Sequence, residues 1–349
     1  MPEKSDNRDF DPIRILVLQT AFLGDIILTI PLILALKTVY PNSHLALLTT
    51  PAGREALQEL PELDEIISYD KKKTEKGLAG FFRKARELRA KKFDLAVSPH
   101  RSFRSAFLLY LASIPVLAGF ADSAFPWVYH LRVKPRKRDH TVLRNLSLLE
   151  PIAELPENFE PRIKLPAPEN FALEKFGLSL KQRPLIGFAP GSAWPTKRWP
   201  AQRFGELAKI LEQELGAKIV LLGDNGDISL CSEVERLSGA GIKNLAGKTG
   251  LKDLFGLISN LDCLVSNDSA PVHIASGFSI PTVVIFGPTS PAFGFGPRQS
   301  PHRILEKELS CRPCHHHGPI KCPEGHFRCM KDISGKEAAD AVKELLTAN

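Results

Sequence analysis

The chain has 349 residues, a formal net charge of +7, 43% hydrophobic and 24% charged residues. That composition belongs to a folded globular protein and excludes disordered or fibrous classes, and the length predicts two domains rather than one core. The longest apolar stretch, residues 26–36, carries Thr29 and Pro31 and falls far short of the roughly 20 residues that cross a bilayer.

The opening MPEKSDNRDFDP lacks the apolar core of a secretory signal, so the expected location is cytoplasmic. Four of the six cysteines crowd between Cys311 and Cys329, which argues against a disulfide-stapled scaffold. The positive charge favours anionic partners such as nucleotides, phosphosugars or a membrane surface.

In chain order, IRILVL (13–18) predicts a strand followed by a helix over 26–40. LALLT (45–49) precedes a helix over 53–60, and DLAVS (94–98) precedes one over 102–112. This is βαβ alternation on a parallel sheet. PIAELPENFEPRIKLPAP (151–168) contains five prolines and reads as an extended connector, so the expected domains are 1–160 and 161–349.

Alternation restarts with PLIGFAPG (184–191), a helix over 200–215, AKIVLLGD (217–224), LDCLVSND (261–268) and PTVVIFG (281–287). The fold class is therefore α/β, with two Rossmann-like domains facing each other across a cleft and ligands at the carboxyl ends of the strands. A closing helix over 334–347 starts with Ser334 and Glu337 as a capping box; its packing partner is left open, the N-terminal domain included.

Gly24-Asp25 sits where the first strand gives way to a helix. With only one glycine in that turn, a dinucleotide loop is not supported. Asp25 is placed either as a general base on an acceptor hydroxyl or as a helix-terminal carboxylate. After PLIGFAPG, the loop through Gly191, Ser192, Lys197 and Arg198 suits a diphosphate, the alternative being an exposed amphipathic loop around Trp194 and Trp199. Asp268, Ser269 and the Ala270 backbone, with His273 one turn later, suit sugar hydroxyls or diphosphate; the bland reading of Asp268 is an N-cap. Asp224 and Asp227 read equally as ribose or base contacts and as an Asx turn.

Together GDIILTIP (24–31), PGSAWPTKRWP (190–200), LLGDNG (221–226), NDSAPVHIA (267–275) and FGPTSP (286–291) resemble the heptosyltransferases of glycosyltransferase family 9, in order and over nearly the whole chain. The tail CRPCHHHGPIKCPEGHFRCMKDI (311–333) resembles the branch that adds the second heptose. The resemblance implies a GT-B fold and inverting transfer of L-glycero-D-manno-heptose from ADP-heptose to a heptose of the lipopolysaccharide inner core, without cofactor or catalytic metal. It implies Asp25 as the catalytic acid/base, Lys197 on the phosphates, and Asp268 with His273 at the donor. Ser192, Asp227 and the Thr249 backbone fall near its nucleotide contacts.

Residues 71–104 hold twelve lysines and arginines against three acids. Most belong to a solvated helix face, whereas His100, Arg101 and Arg104 at a strand end are assigned, with Gly24, to a lipopolysaccharide core acceptor. That acceptor implies a peripheral place at the inner face of the inner membrane. Cys311, Cys314, Cys322 and Cys329 give C-x2-C followed by a wider pair; reduced or partly paired thiols are favoured over zinc, and no metal is assigned. The competing functions are a nucleotide-sugar epimerase and a nucleic-acid module, and no nucleic-acid signature is present.

Overall fold

The computed structural model describes residues 11–348 apart from Asn170, Leu180, Gln182 and Ala240. Residues 1–10, read above as lacking a signal core, lie outside the described residues. The chain divides into two units at Lys164/Leu165, inside the irregular, proline-rich connector.

The first unit is a parallel six-stranded sheet of β1 (Arg14–Gln19), β2 (His44–Thr49), β3 (Glu65–Ser68), β4 (Leu95–Ser98), β5 (Val116–Phe120) and β6 (Leu131–Val133), in the order β3-β2-β1-β4-β5-β6. The second repeats the plan with β7 (Leu185–Ala189), β8 (Lys218–Leu221), β9 (Ile242–Asn244), β10 (Cys263–Asn267), β11 (Thr282–Ile285) and β12 (His302–Leu305), in the order β12-β11-β10-β7-β8-β9. In each sheet the order reverses between the first and fourth strands, which opens a ligand crevice beyond their carboxyl ends.

Helices cover both faces, so the central strands are continuous apolar runs rather than alternating ones. Ile15 through Leu18 of β1 are fully buried. The helices of the first unit are α1 (Leu23–Ile27), α2 (Ile30–Val39), α3 (Pro51–Leu57), α4 (Gly77–Ala90), α5 (Phe103–Leu111) and α6 (Thr141–Leu146). Those of the second are α7 (Ala201–Leu215), α8 (Ile228–Ser238), α9 (Leu251–Ser259), α10 (Ala270–Gly277), α11 (Arg328–Lys331) and α12 (Gly335–Thr347).

The single helix expected over 26–40 is two. It starts earlier, at Leu23, and breaks after Ile27, because Pro31 has no N–H to continue the ladder and must sit in a helix's first turn. The Thr29 hydroxyl donates to the Asp25 carbonyl at 2.8 Å and closes the break. At the other end of the chain, Ser334 and Glu337 form the expected capping box of α12. That helix packs on α7 and on β10, β11 and β12 of its own unit, burying Ala338, Val342 and Leu345 with Trp199 and Leu207.

Candidate active site

In the first unit, Gly24 and Asp25 lie in α1 directly after β1, half-buried, at the point where the strand order reverses. The carboxylate is in the first turn, where the amino-terminal end of the helix favours negative charge. Arg144 of α6 feels its attraction. That helix is tied beside the α1–α2 break by the Asn145 amide, which donates to the Leu28 carbonyl at 3.2 Å.

His100, Arg101 and Arg104 follow β4, the strand on the other side of the reversal. His100 is not a charged group. Burial, and secondarily Lys71, push its pKa down to about 4. Its Nδ1 lies 2.8 Å from the Ser105 hydroxyl and 3.1 Å from that of Thr20. Since the Ser102 hydroxyl donates to Ser105 at 3.0 Å, the Ser105 hydroxyl is left to donate to a neutral ring.

The two arginines are positioned by aromatic faces. Arg101 pairs with Asp122 at 3.3 Å and stacks over Phe120. Arg104 donates to the Tyr69 hydroxyl at 2.8 Å from Nε and lies over the rings of Tyr69 and Phe81. Lys71 completes this corner: its ammonium donates to the Thr20 carbonyl at 2.8 Å, and burial followed by Arg104 lowers its pKa. Lys71, Arg104, Thr20 and Tyr69 line a small hollow with an excess of positive charge, suited to a phosphate or carboxylate.

In the second unit the loop after β7 is built on Asn267, the last residue of β10. Its amide donates to the Pro190 carbonyl at 2.7 Å and its oxygen accepts the Trp199 N–H at 3.0 Å. Trp199 is fully buried and its indole donates to the Ile333 carbonyl. The loop between these anchors therefore holds Lys197 against Asp268, with Nζ to Oδ2 at 2.5 Å. The Thr289 hydroxyl donates to the same oxygen at 2.8 Å.

Ser269, not Asp268, is the N-cap of α10, although its side chain makes no capping bond there. The backbone around Ala270 opens the helix, and His273 is buried in it. On the other side of the loop, Arg198 Nε donates to the Ser192 carbonyl at 2.9 Å, and its guanidinium lies 3.9 Å from Asp227. Asp227 does form the capping turn with Asp224. Burial, then Asp224, raises its pKa. Gly191 passes so close that a Cβ there would meet Asp227 Oδ2 at 2.2 Å. Thr249 is half-buried just before α9.

The histidine-rich tract covers the Lys197 loop. His317 stacks on Trp194 with centroids 6.2 Å apart, and the Thr196 hydroxyl donates to the Pro319 carbonyl. Burial, and then Lys197, lowers the His317 pKa. Cys311, Cys314, Cys322 and Cys329 line a pocket beneath it with His326 and Arg312. The thiol of Cys329 is pushed up to about 11 by burial. Among the described residues, no group of three or more His, Cys, Asp or Glu side chains is placed so that it could hold a metal ion.

Residues 81–323 match glycosyltransferase family 9 (heptosyltransferase). The chain belongs to this family. The family 9 chain is 30% identical, over 95% of its length and 99% of that protein, to lipooligosaccharide heptosyltransferase 2 of Haemophilus ducreyi. Among solved structures it resembles the family 9 glycosyltransferase of Veillonella parvula, with a TM-score of 0.86 at 27% identity, covering 96% of this chain and 98% of that one. It also resembles ADP-heptose LPS heptosyltransferase II of E. coli, with a TM-score of 0.77 at 26% identity, covering 96% and 99%. This heptosyltransferase fold is GT-B.

In this family 9 chain, every sequence-assigned residue follows a strand. Gly24, Asp25, His100, Arg101 and Arg104 lie after β1 and β4; Gly191, Ser192, Lys197, Asp268, Ser269, Ala270 and His273 lie after β7 and β10; Asp227 and Thr249 lie after β8 and β9. Sequence reasoning missed Lys71, Arg144, Asn267 and Thr289 as individual contributors. The basic run over 71–104, NDSAPVHIA and FGPTSP held the signals for Lys71, Asn267 and Thr289, and Arg144 had none.

Proposed function

We propose that this glycosyltransferase moves L-glycero-D-manno-heptose from ADP-heptose to a heptose of the lipopolysaccharide inner core, with inversion at the anomeric carbon. The nearly full-length likeness to proteins named heptosyltransferase 2 carries this reading. Asp25 accepts the proton of the acceptor hydroxyl as that oxygen attacks the anomeric carbon and the bond to the ADP oxygen breaks on the opposite face. Lys197 stabilises the charge that develops on the departing diphosphate. Its salt bridge to Asp268 keeps the ammonium aimed and neutralised until the diphosphate shares it.

Ser192, Gly191, Asp227 and Thr249 are assigned to the nucleotide, and Ser269, Ala270 and His273 to the α10 end of the donor. Gly24, Arg101 and Arg104 are assigned to the anionic core acceptor. His100, being neutral, acts there through hydrogen bonds and by orienting Thr20 and Ser105. No described helix is long and apolar enough to cross a membrane, and the assigned workplace is the inner face of the inner membrane.

The test is incubation with ADP-heptose and a heptose-bearing core acceptor, following ADP release. Wild type is expected to turn over and Asp25→Asn to lose at least about 10²-fold in kcat. Equal turnover by the two would remove Asp25 from this role, and no turnover of ADP-heptose by wild type would overturn the donor assignment.

A further inference from the structure

The first unit carries a connected row of aromatic rings at its surface. Phe82 meets Phe81 edge-on at 5.6 Å; Phe81 stacks on Phe107 at 5.7 Å; Phe107 contacts Phe103 at 5.7 Å and Tyr110 at 6.3 Å; Phe103 contacts Phe125 at 5.1 Å. Phe81, which links Phe82 to the other rings, is buried, and Phe107 and Phe125 are half-buried. Phe82 and Phe103 are each 52% exposed, Tyr110 58%, Leu78 75% and Trp127 78%.

The helical spacing makes this a face rather than a scatter. Phe103, Phe107 and Tyr110 form one stripe on α5, and Leu78 and Phe82 lie one turn apart on α4, followed by exposed Arg86 and Arg89. Single exposed apolar residues need no explanation, but a contiguous patch rimmed by charge marks an interaction surface.

The charge selects the partner. Lys72, Lys73, Lys76, Arg83, Arg86 and Arg89 are exposed on the α4 side. Nearby acids are already engaged: Glu75 and Glu87 with Lys84, and Asp122 with Arg101. A second copy would set like charges against each other. Aromatic side chains flanked by lysine and arginine instead match the boundary between lipid headgroups and acyl chains.

The geometry points to docking of this α4–α5 face, with the turn at Pro126–Val128, on an anionic lipid surface. The rings enter the headgroup boundary and the cations lie over lipid phosphates. This deepens the proposed function and rests on it in one respect: a lipid-anchored acceptor would be presented beside Arg104, adjacent in sequence to Phe103.

The test uses the full chain and vesicles of phosphatidylcholine with or without phosphatidylglycerol, read by co-sedimentation and by the chain's own oligomeric state. Wild type is expected on anionic vesicles and much less on neutral ones. A Phe82→Ser/Tyr110→Ser/Trp127→Ser variant is expected to bind at least about tenfold more weakly, with its thermal melt and its turnover of a delipidated acceptor unchanged. An Arg83→Gln/Arg86→Gln/Arg89→Gln variant is expected to lose most of the salt-sensitive part.

Wild-type binding by the ring variant, equal wild-type binding to both vesicle types, or an effect of the ring variant confined to self-association would overturn the proposal. If vesicle binding responds as expected while no variant, wild type included, transfers heptose, the docking surface stands and the proposed function falls.

Discussion

Lys197 Nζ and Asp268 Oδ2 stand 2.5 Å apart with side chains only 12% and 9% exposed. Removing one member of such a pair strands the other charge, an effect of about 3–5 kcal/mol when burial is complete and somewhat less here. Lys197→Met is therefore expected to lower the melting temperature and to reduce kcat by about 10²-fold or more. Lys197→Met/Asp268→Asn should recover much of the stability and none of the turnover. Recovery of kcat in the double variant would mean that Lys197 is structural only.

The approach of Gly191 to Asp227 gives a second test. A Cβ at Gly191 would sit 2.2 Å from a carboxylate oxygen that also accepts the Asp224 N–H at 3.3 Å, so the side chain is not able to swing aside without opening its turn. Gly191→Ala is expected to raise KM for the nucleotide-sugar donor by about tenfold with little change in KM for acceptor. Adding Asp227→Ala removes the clash and should restore stability relative to the single variant, measured as thermal melts of the two. An unchanged donor KM in Gly191→Ala would place the nucleotide elsewhere.

The central strands other than β5, and the loops that follow them, were legible in the sequence because both depend on local composition. Ile15–Leu18 is an apolar run only a doubly covered strand explains, and the prolines of 151–168 deny a helix. The edge strands β3, β6, β9 and β12 were not, being three or four residues long and half-buried or exposed at most positions, so that no periodicity develops. The apolar pattern ran on through Pro31 and hid the break between α1 and α2. Pairings across long separations left no trace either: Lys197 and Asp268 are 71 residues apart, and each was read correctly as a loop residue but not as the other's partner. The neutrality of His100 comes from its burial, which a strand-end position does not disclose.

Arg144 supplies a third prediction. Burial, then Arg101, lowers the pKa of its guanidinium, and the attraction of Asp25, with that of Asp139 and Asp122, opposes this; the same attraction favours the ionised form of the Asp25 carboxylate. Arg144→Gln is expected to move the acidic limb of the kcat profile to higher pH while leaving the plateau near neutrality largely intact, as long as the fold survives. Arg144→Lys should return the limb toward wild type. An unmoved limb in Arg144→Gln, measured between pH values where wild type falls to half its rate, would remove Arg144 from the field of Asp25.

His100 links the acceptor corner to stability. With its pKa pushed down to about 4 in the folded chain and about 6.5 in the unfolded one, the unfolded state binds more protons between those values. Stability therefore rises with pH across that window. The contribution is complete above about pH 6.5 and is lost as pH falls toward 4, on the order of 3 kcal/mol in all. A His100→Asn variant has no such group and is expected to show a flatter dependence of its unfolding midpoint over the same range, even if it is less stable at pH 7. Protonation would also reverse the polarity at Nδ1, turning an acceptor for the Ser105 hydroxyl into a donor and adding a positive charge beside Lys71. Parallel melting curves for wild type and His100→Asn from pH 7 down to pH 5 would show that the ring charges without penalty, and with it the hydrogen-bond network around Thr20 and Ser105 would lose its assigned polarity.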